Sequence, residues 1–229
     1  MPYFSEALFN AVQLIAQLDP EVYGIVWISL KISCIATLIA SFFGVVLGIL
    51  AAASDFTGKR LLQHILNALM AMPTVMIGLI FYGLLSRQGP LGEFGLLYTP
   101  TAVVIGETCL ILPIIMNMAM VAVQTADPRL LPTLKLLGAR TDQQLWPILQ
   151  ELRYPMLHAV ITGFGRAIGE VGAAMMLGGN IMGSTRTITT AIALETSKGE
   201  FELGLALGLI LLLLAFLLNL SLQLLKARA

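Results

Sequence analysis

Charged residues are scarce in this sequence. Only 11% of its 229 residues are charged, and 13 basic side chains balance 13 acidic ones. Soluble domains carry about 25% charged residues, and nucleic-acid-binding domains carry a basic surplus. Both classes are therefore excluded. The 58% hydrophobic content predicts an integral membrane protein embedded in lipid.

Cysteine and histidine are rare as well. Cys34 and Cys109 each lie in an apolar run without a CxxC partner, which indicates small hydrophobic side chains rather than disulfide or metal chemistry. His64 and His158 lack the spacing of metal ligands. The sequence also has no GxxxxGK(S/T) phosphate loop and no clustered nucleophile and base. We therefore expect no catalytic residue, no metal and no cofactor bound by this chain.

Five long apolar runs make up most of the chain. Each reaches the roughly 20 residues that cross a bilayer as a helix, and together they occupy residues 22–53, 61–85, 101–124, 155–177 and 203–225. Residues 1–19 carry one apolar stripe among polar side chains and predict an interfacial helix. The predicted fold is an all-α membrane protein with about five transmembrane helices in residues 20–229. Residues 178–202 are expected to form a polar loop.

Several polar or helix-breaking residues interrupt these runs. Pro73 and Pro113 lie near the middle of the second and third runs, where a proline is expected to kink the helix and can place a gate. Kinked helices are also common in membrane bundles without any gating role. Lys31 lies near one end of the first run and is expected to snorkel to the interface.

Charges at membrane depth mark either transport pathways or buried ion pairs. Arg166 and Glu170 are four residues apart in the fourth run. They either neutralise each other structurally, or Arg166 attracts an anion along its route while Glu170 moderates the attraction. Glu107 suits an anion route poorly, and we expect it to have a structural partner such as Arg166 or a free backbone N–H.

The polar segment 125–153 is a helix–glycine–helix. Asp127-Pro128 predicts a helix start, and Leu130, Leu134 and Leu137 share one face of that helix. Gly138 is expected to end it in a left-handed conformation. Thr141 with Gln144 predicts a capping box for the next helix. Gly138 is either only a helix cap or also part of a docking surface for a partner protein.

The distribution of lysine and arginine predicts the orientation in the membrane. One side of the five-span arrangement holds Lys59, Arg60, Arg129, Lys135, Arg140, Arg153, Lys226 and Arg228, and the other holds only Arg87, Arg186 and Lys198. Because a Lys/Arg surplus marks the cytoplasmic side, we expect the N-terminus outside, the C-terminus in the cytoplasm and segment 125–153 in the cytoplasm.

Three stretches resemble the permease subunits of bacterial ATP-binding-cassette (ABC) importers. GFGRAIGEVGAAMMLGGNI at 163–181 is similar to the fourth span of the molybdate/tungstate/sulfate branch. With TRTITTAIALETSKG at 185–199 and SRQGPLGEFGLLYTP at 86–100, it most resembles the tungstate-uptake permease family. The family's cytoplasmic loop signature is Glu-Ala-Ala, three residues, Gly, nine residues, then Ile-x-Leu-Pro. Gly138 and Ile148 keep its spacing, whereas Pro132-Thr133-Leu134 and Gln150-Glu151 depart from it.

The resemblance implies a type I importer permease that functions as a homodimer in the inner membrane. Its implied partners are two cytoplasmic ATPase subunits, which use the ATP, and an extracytoplasmic oxyanion-binding protein. The implied ATPase-coupling residues are Leu134, Leu137, Gly138, Ala139 and Ile148. Tungstate is the implied substrate, with molybdate or sulfate as alternatives. A stand-alone secondary carrier is the remaining alternative, although such carriers usually show repeated halves. A membrane-embedded enzyme would need clustered His, Asp and Glu residues or a nucleophile with its base, and the sequence has neither.

Overall fold

The computed structural model describes residues 2–226, with side chains described from Ser5 to Leu224. Met1 and residues 227–229 lie outside this range, and so does Arg228 of the charge count. The described chain forms α-helices and one short 3₁₀ turn, without strands. The helices are α1 Pro2–Ala16, α2 Pro20–Ala53, α3 Lys59–Met70, α4 Thr74–Leu85, α5 Pro100–Gln124, α6 Leu130–Leu136, α7 Thr141–Glu151, α8 Arg153–Ile168, α9 Gly172–Gly178, α10 Ile188–Lys198 and α11 Phe201–Lys226, and the turn is Gly92–Phe94.

Helices α2 and α5 form the centre of the bundle. The Asp19 carboxylate caps α2 by accepting from the backbone N–H groups of Glu21 (2.9 Å) and Val22 (3.0 Å). A Cβ atom at Gly48 would lie 2.6 Å from the Met116 carbonyl oxygen. Only glycine therefore lets the two backbones approach this closely, as small residues commonly do in membrane bundles.

Three helices are each long and apolar enough to cross a membrane: α2, α5 and α11. The other two predicted spans are bent pairs, so the described chain has three to five candidate spans. At 34 residues, α2 is about 51 Å long. That exceeds the roughly 30 Å hydrocarbon thickness, so α2 tilts or projects beyond it.

The second predicted span is broken rather than kinked. Helix α3 ends at Met70, α4 begins at Thr74 with Pro73 as its N-cap, and the two axes differ by 95°. Proline disfavours the helical conformation in the residue before it, here Met72, which explains why α3 does not continue through Pro73 into α4. Helix α5, in contrast, continues through Pro113 as one helix, and a kink there stays a prediction.

The fourth predicted span is also a bent pair, with 60° between α8 and α9. The expected polar loop 178–202 is wrong, because it contains α10. Threonine has a low helix propensity, so the threonine-rich composition of this segment did not predict a helix. Thr185, Thr187, Thr189 and Thr190 are instead buried, and the Thr187 hydroxyl caps α10 by accepting from the backbone N–H of Thr190.

The N-terminal helix α1 packs along α11. Ala7 and Ala11 are buried there, and the Asn10 side-chain amide donates to Glu202 Oε1 at 2.7 Å. The predicted helix is therefore present, while its position at the membrane interface stays a prediction.

Candidate functional site

The two breaks in the bundle lie against each other. A Cβ atom on Gly172, the first residue of α9, would lie 2.9 Å from Val75 Cγ2 and 3.2 Å from Thr74 Oγ1 at the start of α4. One turn further, a Cβ on Gly78 would lie 3.0 Å from the Ala173 Cα atom. Helices α4 and α9 thus run side by side from a common starting level. Their N-terminal ends, which carry partial positive charge, therefore lie next to each other.

The other ends of these two helices are also joined. Tyr98 donates its backbone N–H to the Leu177 carbonyl (2.8 Å), and its hydroxyl lies 3.4 Å from that of Tyr82. Tyr98 has a left-handed backbone with φ of 65°, which is strained for a bulky residue. The two half-helices are therefore held together along their whole length.

Glu170 holds the break between α8 and α9. Its Oε2 accepts from Arg166 Nη1 at 3.1 Å, and its Oε1 accepts from the backbone N–H of Ala173 at 3.0 Å. The Thr189 hydroxyl donates to its backbone carbonyl. The Glu170 side chain is 1% exposed, whereas that of Arg166 is 40% exposed. The predicted ion pair is present, but Glu170 lies beyond the end of α8. Glu170 also accepts a hydrogen bond from α9, whereas Arg166 is partly exposed to solvent.

Glu107 has a different partner from the expected ones. It lies in α5, 1% exposed, and its carboxyl group interacts with the Ser33 hydroxyl of α2 and lies near Glu170. Arg166 pairs with Glu170 instead. One carboxyl oxygen, Oε2, has no hydrogen-bond partner among the described residues.

Sequence reasoning missed a line of hydroxyl groups on α2. It consists of Ser29, Ser33, Thr37 and Ser41. Ser29 accepts from the backbone N–H of Ile188 at 2.6 Å, which ties α10 to α2. The four-residue spacing, which places such side chains on one helix face, was the available signal.

A second missed feature is a charged cluster around Arg186. Arg186 Nη1 lies 3.6 Å from Glu195 Oε1 and 3.8 Å from Glu21 Oε1, and Lys198 Nζ lies 2.9 Å from Glu195 Oε1. Arg186 and Glu195 are buried. These residues link the start of α2 to α10, although the sequence indicated only loop charges.

The helix–glycine–helix segment has the expected turn. Gly138 has φ of 79°, its N–H donates to the Lys135 carbonyl (3.0 Å), and that of Ala139 donates to the Leu134 carbonyl (3.1 Å). These two bonds form a Schellman motif. A Cβ atom at Gly138 would meet nothing within 4 Å, so the turn faces open space.

Two local predictions in this segment are wrong. The second helix starts one residue earlier than expected: Arg140 is its N-cap, and Gln143 Oε1 accepts from the Arg140 backbone N–H at 2.9 Å. Gln144 is instead buried and donates to the Ala139 carbonyl at 2.8 Å. Leu137 does not share a buried face with Leu134, because the early end of α6 at Leu136 turns it outward.

The predicted coupling residues divide into an exposed tip and a buried support. Leu137 and Gly138 are exposed at the tip, next to Leu136, which is 89% exposed. Ile148 is fully buried in the cluster that contains Ile49 and Met120, and Leu134 packs against that cluster. The tip is thus an exposed apolar surface supported by a packed base.

One exposed ion pair connects this segment to the α2–α3 turn. Lys135 Nζ lies 2.9 Å from Asp55 Oδ2. The hydrogen bond and the charge of Lys135 lower the pKa of the Asp55 carboxyl below its usual value, and Lys59 adds to the effect. A carboxyl whose pKa is lowered by folding keeps its partner at neutral pH and loses it only as the pH falls through the lowered value.

A bundle of membrane-length helices with two half-helices packed side by side and a helical projection at one end is typical of a multi-span membrane transport subunit. Residues 44–229 match the family of binding-protein-dependent transport system inner membrane components, and the chain belongs to this family. Its members are permease subunits of ABC importers, which have no catalytic site of their own.

The relatives of this chain include two tungstate permeases. It is 40% identical to the tungstate uptake system permease protein TupB of Peptoclostridium acidaminophilum, over 89% of each chain. It is 39% identical to TupB of Campylobacter jejuni, over 89% of this chain and 85% of that protein. A probable anion ABC transporter permease of Haloferax volcanii is 36% identical over 77% of this chain and 78% of that protein.

Proposed function

We propose that this chain is the permease subunit of an ABC importer that passes tungstate into the cytoplasm. The observation that carries the proposal is the 40% identity to a tungstate permease over 89% of each chain. ATP hydrolysis belongs to a separate subunit, since the sequence has no phosphate-binding loop. Molybdate and sulfate, which are tetrahedral oxyanions of the same charge, are the alternative substrates.

The anion route passes the meeting point of α4, α8 and α9. Arg166 is partly exposed near the N-terminal ends of α4 and α9, and both features favour an anion. Glu170 takes part of the Arg166 charge, so that an oxyanion is attracted without being retained. The break at Pro73 is the proposed gate, because it gives α4 freedom from α3.

The assembled transporter contains two copies of this chain, two ATPase subunits and an extracytoplasmic binding protein. Leu136, Leu137 and Trp146 project from the helix–glycine–helix segment as exposed apolar side chains. Such a patch marks a protein-binding surface, and a groove on the ATPase subunit is its proposed partner. The N-terminus lies outside and the C-terminus in the cytoplasm, as the charge distribution favours.

Elemental uptake tests this function. Cells lacking their own oxyanion importers would express the chain with its ATPase and binding protein, and tungsten and molybdenum would be measured after exposure to equal concentrations of the two anions. We expect tungsten accumulation to exceed that of molybdenum and to vanish when the ATPase subunit is omitted.

Two results would change this assignment. Accumulation without the ATPase would identify a stand-alone carrier. An assembled complex that accumulates molybdenum or sulfate, but no tungsten, would keep the importer and replace its substrate.

A further inference from the structure

A groove of about 640 Å³ lies on the outside of the α2–α5 pair. Polar groups line one end of it and apolar side chains the other. The lining residues are Trp27, Ile28, Lys31, Ile32, Ile35, Ile39, Pro100, Thr101, Val104, Gly183 and Ser184. None of these is acidic, so the charge of the groove comes from Lys31 alone.

Lys31 is unpaired in the groove. It is exposed, and no hydrogen bond or ion pair joins it to another residue in the described part of the chain. Thr101 and Ser184 place hydroxyl groups on the same groove. A lysine with neighbouring hydroxyls and no carboxylate is suited to a phosphate group.

The groove lies at the level where lipid head groups are found. Thr101 is the second residue of α5, so Lys31 is level with one end of a membrane-length helix. Trp27, one turn from Lys31 and 67% exposed, lies where tryptophans mark the membrane–water interface. A phosphate bound to Lys31 would therefore be at its ordinary depth in the bilayer.

From Lys31 towards the C-terminal end of α2, the groove is lined by apolar side chains. Ile35 and Ile39 follow it along α2, with Val104 of α5 beside them. From Lys31 to Ile39 the helix rises about 12 Å, which covers most of one leaflet of a roughly 30 Å hydrocarbon core. A free oxyanion would use only the polar end, whereas a phospholipid would fill both.

We propose that this groove binds one anionic glycerophospholipid, with its phosphate on Lys31 and an acyl chain along Ile35 and Ile39. The site is separate from the transport site and does not depend on the substrate carried. The net negative head group is favoured because the groove offers a cation and no acid.

Bound lipid can be counted by native mass spectrometry of the assembled transporter. The detergent-solubilised complex would be incubated with phosphatidylglycerol or phosphatidylcholine, and the lipids that stay bound would be counted after the detergent is removed in the spectrometer. The wild type would be compared with three variants: Lys31→Met, Ile35→Trp and Arg87→Gln. We expect the wild type to retain phosphatidylglycerol several-fold better than phosphatidylcholine. Lys31→Met should abolish the preference, Ile35→Trp should reduce retention of both lipids, and Arg87→Gln, which removes a cation outside the groove, should change neither.

Fluorescence provides a second measurement at the site itself. The sequence has only two tryptophans, so Trp146→Phe leaves Trp27 as the single reporter in the full-length chain. Brominated phosphatidylglycerol in nanodiscs should quench Trp27 at a lower mole fraction than brominated phosphatidylcholine, and Lys31→Met should remove the difference.

Three outcomes would overturn the proposal. Equal quenching by both lipids would show no head-group preference. Relief of quenching by soluble tungstate or phosphate would identify a free oxyanion as the ligand. Conversion of the transporter from two copies of this chain to one by Lys31→Met would identify the groove as a subunit contact.

Discussion

Glu170 combines two roles in one buried carboxylate. It pairs with Arg166 and accepts from the backbone N–H of Ala173, the second residue of α9. We expect Glu170→Ala to lower the free energy of unfolding by about 3 kcal/mol, because it leaves a buried N–H and a charge unpaired. Glu170→Gln keeps an acceptor for Ala173 and should cost about half as much. Thermal unfolding of the purified complex measures the difference.

Arg166 supplies the control for this comparison. Arg166→Gln leaves the buried Glu170 carboxylate without its counter-charge, so it should also lower the free energy of unfolding. If the anion passes Arg166, this variant should in addition lower the transport rate per assembled complex. Equal melting temperatures for the Gln and Ala variants of Glu170 would contradict the capping role. Unchanged transport by Arg166→Gln would leave the pair a structural one. Exchanging the two residues (Arg166→Glu with Glu170→Arg) would itself destabilise the protein, since it places a positive charge at the N-terminus of α9, which already carries partial positive charge.

At the scale of helices, the contact between α4 and α9 depends on Gly78. A methyl group there would lie 3.0 Å from both the Ala173 Cα and the Met176 Sδ atoms. We expect Gly78→Ala to lower the free energy of unfolding by about 1–2 kcal/mol, since the two helices must separate. Gly83 lies in the same helix with nothing within 4 Å. Gly83→Ala should be neutral or gain about 0.5 kcal/mol. Equal melting temperatures for the two variants would show that the close contact at Gly78 does not contribute to stability.

The turn at Gly138 has a matched control at the other end of the molecule. Gly138 and Gly199 both follow a helix with positive φ, 79° and 85°, and both face open space. Phenylalanine at either position should cost about 1–2 kcal/mol of backbone strain. We expect only Gly138→Phe to uncouple ATP hydrolysis from uptake, measured as tungsten accumulated per ATP hydrolysed. Loss of coupling in Gly199→Phe to the same extent would exclude a docking role for the Gly138 turn.

Elements with a strong local signal were predictable from the sequence. The first, third and fifth spans and the Gly138 turn follow from apolar runs and from glycine after a helix. The failures share a cause: long-range contacts that no local pattern shows. Helix α10 is stabilised by buried threonines and by a hydrogen bond to Ser29 on α2. The side chain that interacts with Glu107 is Ser33, which precedes it by 74 residues in the sequence.

For the molecule as a whole, the proposed orientation can be tested by labelling. Gln88 lies in the α4–α5 connection and Thr57 in the α2–α3 turn, at opposite ends of the bundle. In a chain with Cys34 and Cys109 replaced by alanine, Gln88→Cys should react with a membrane-impermeant maleimide in intact spheroplasts. Thr57→Cys should react only after lysis. The reverse pattern would invert the orientation and place the helix–glycine–helix segment outside.

Ion pairs connect structural elements at both ends of the molecule, but they are buried at one end and exposed at the other. At one end, Arg186 and Glu195 are buried, and their ion pairs connect the α9–α10 loop and α10 to Glu21 at the start of α2. At the other, Lys135 and Asp55 are both well exposed. Dissolved salt screens exposed charges over about 8–10 Å and affects buried pairs much less. Ionic strength therefore acts unequally on the two ends: concentrated salt loosens the hold on the helix–glycine–helix segment and leaves the α2–α10 junction closed.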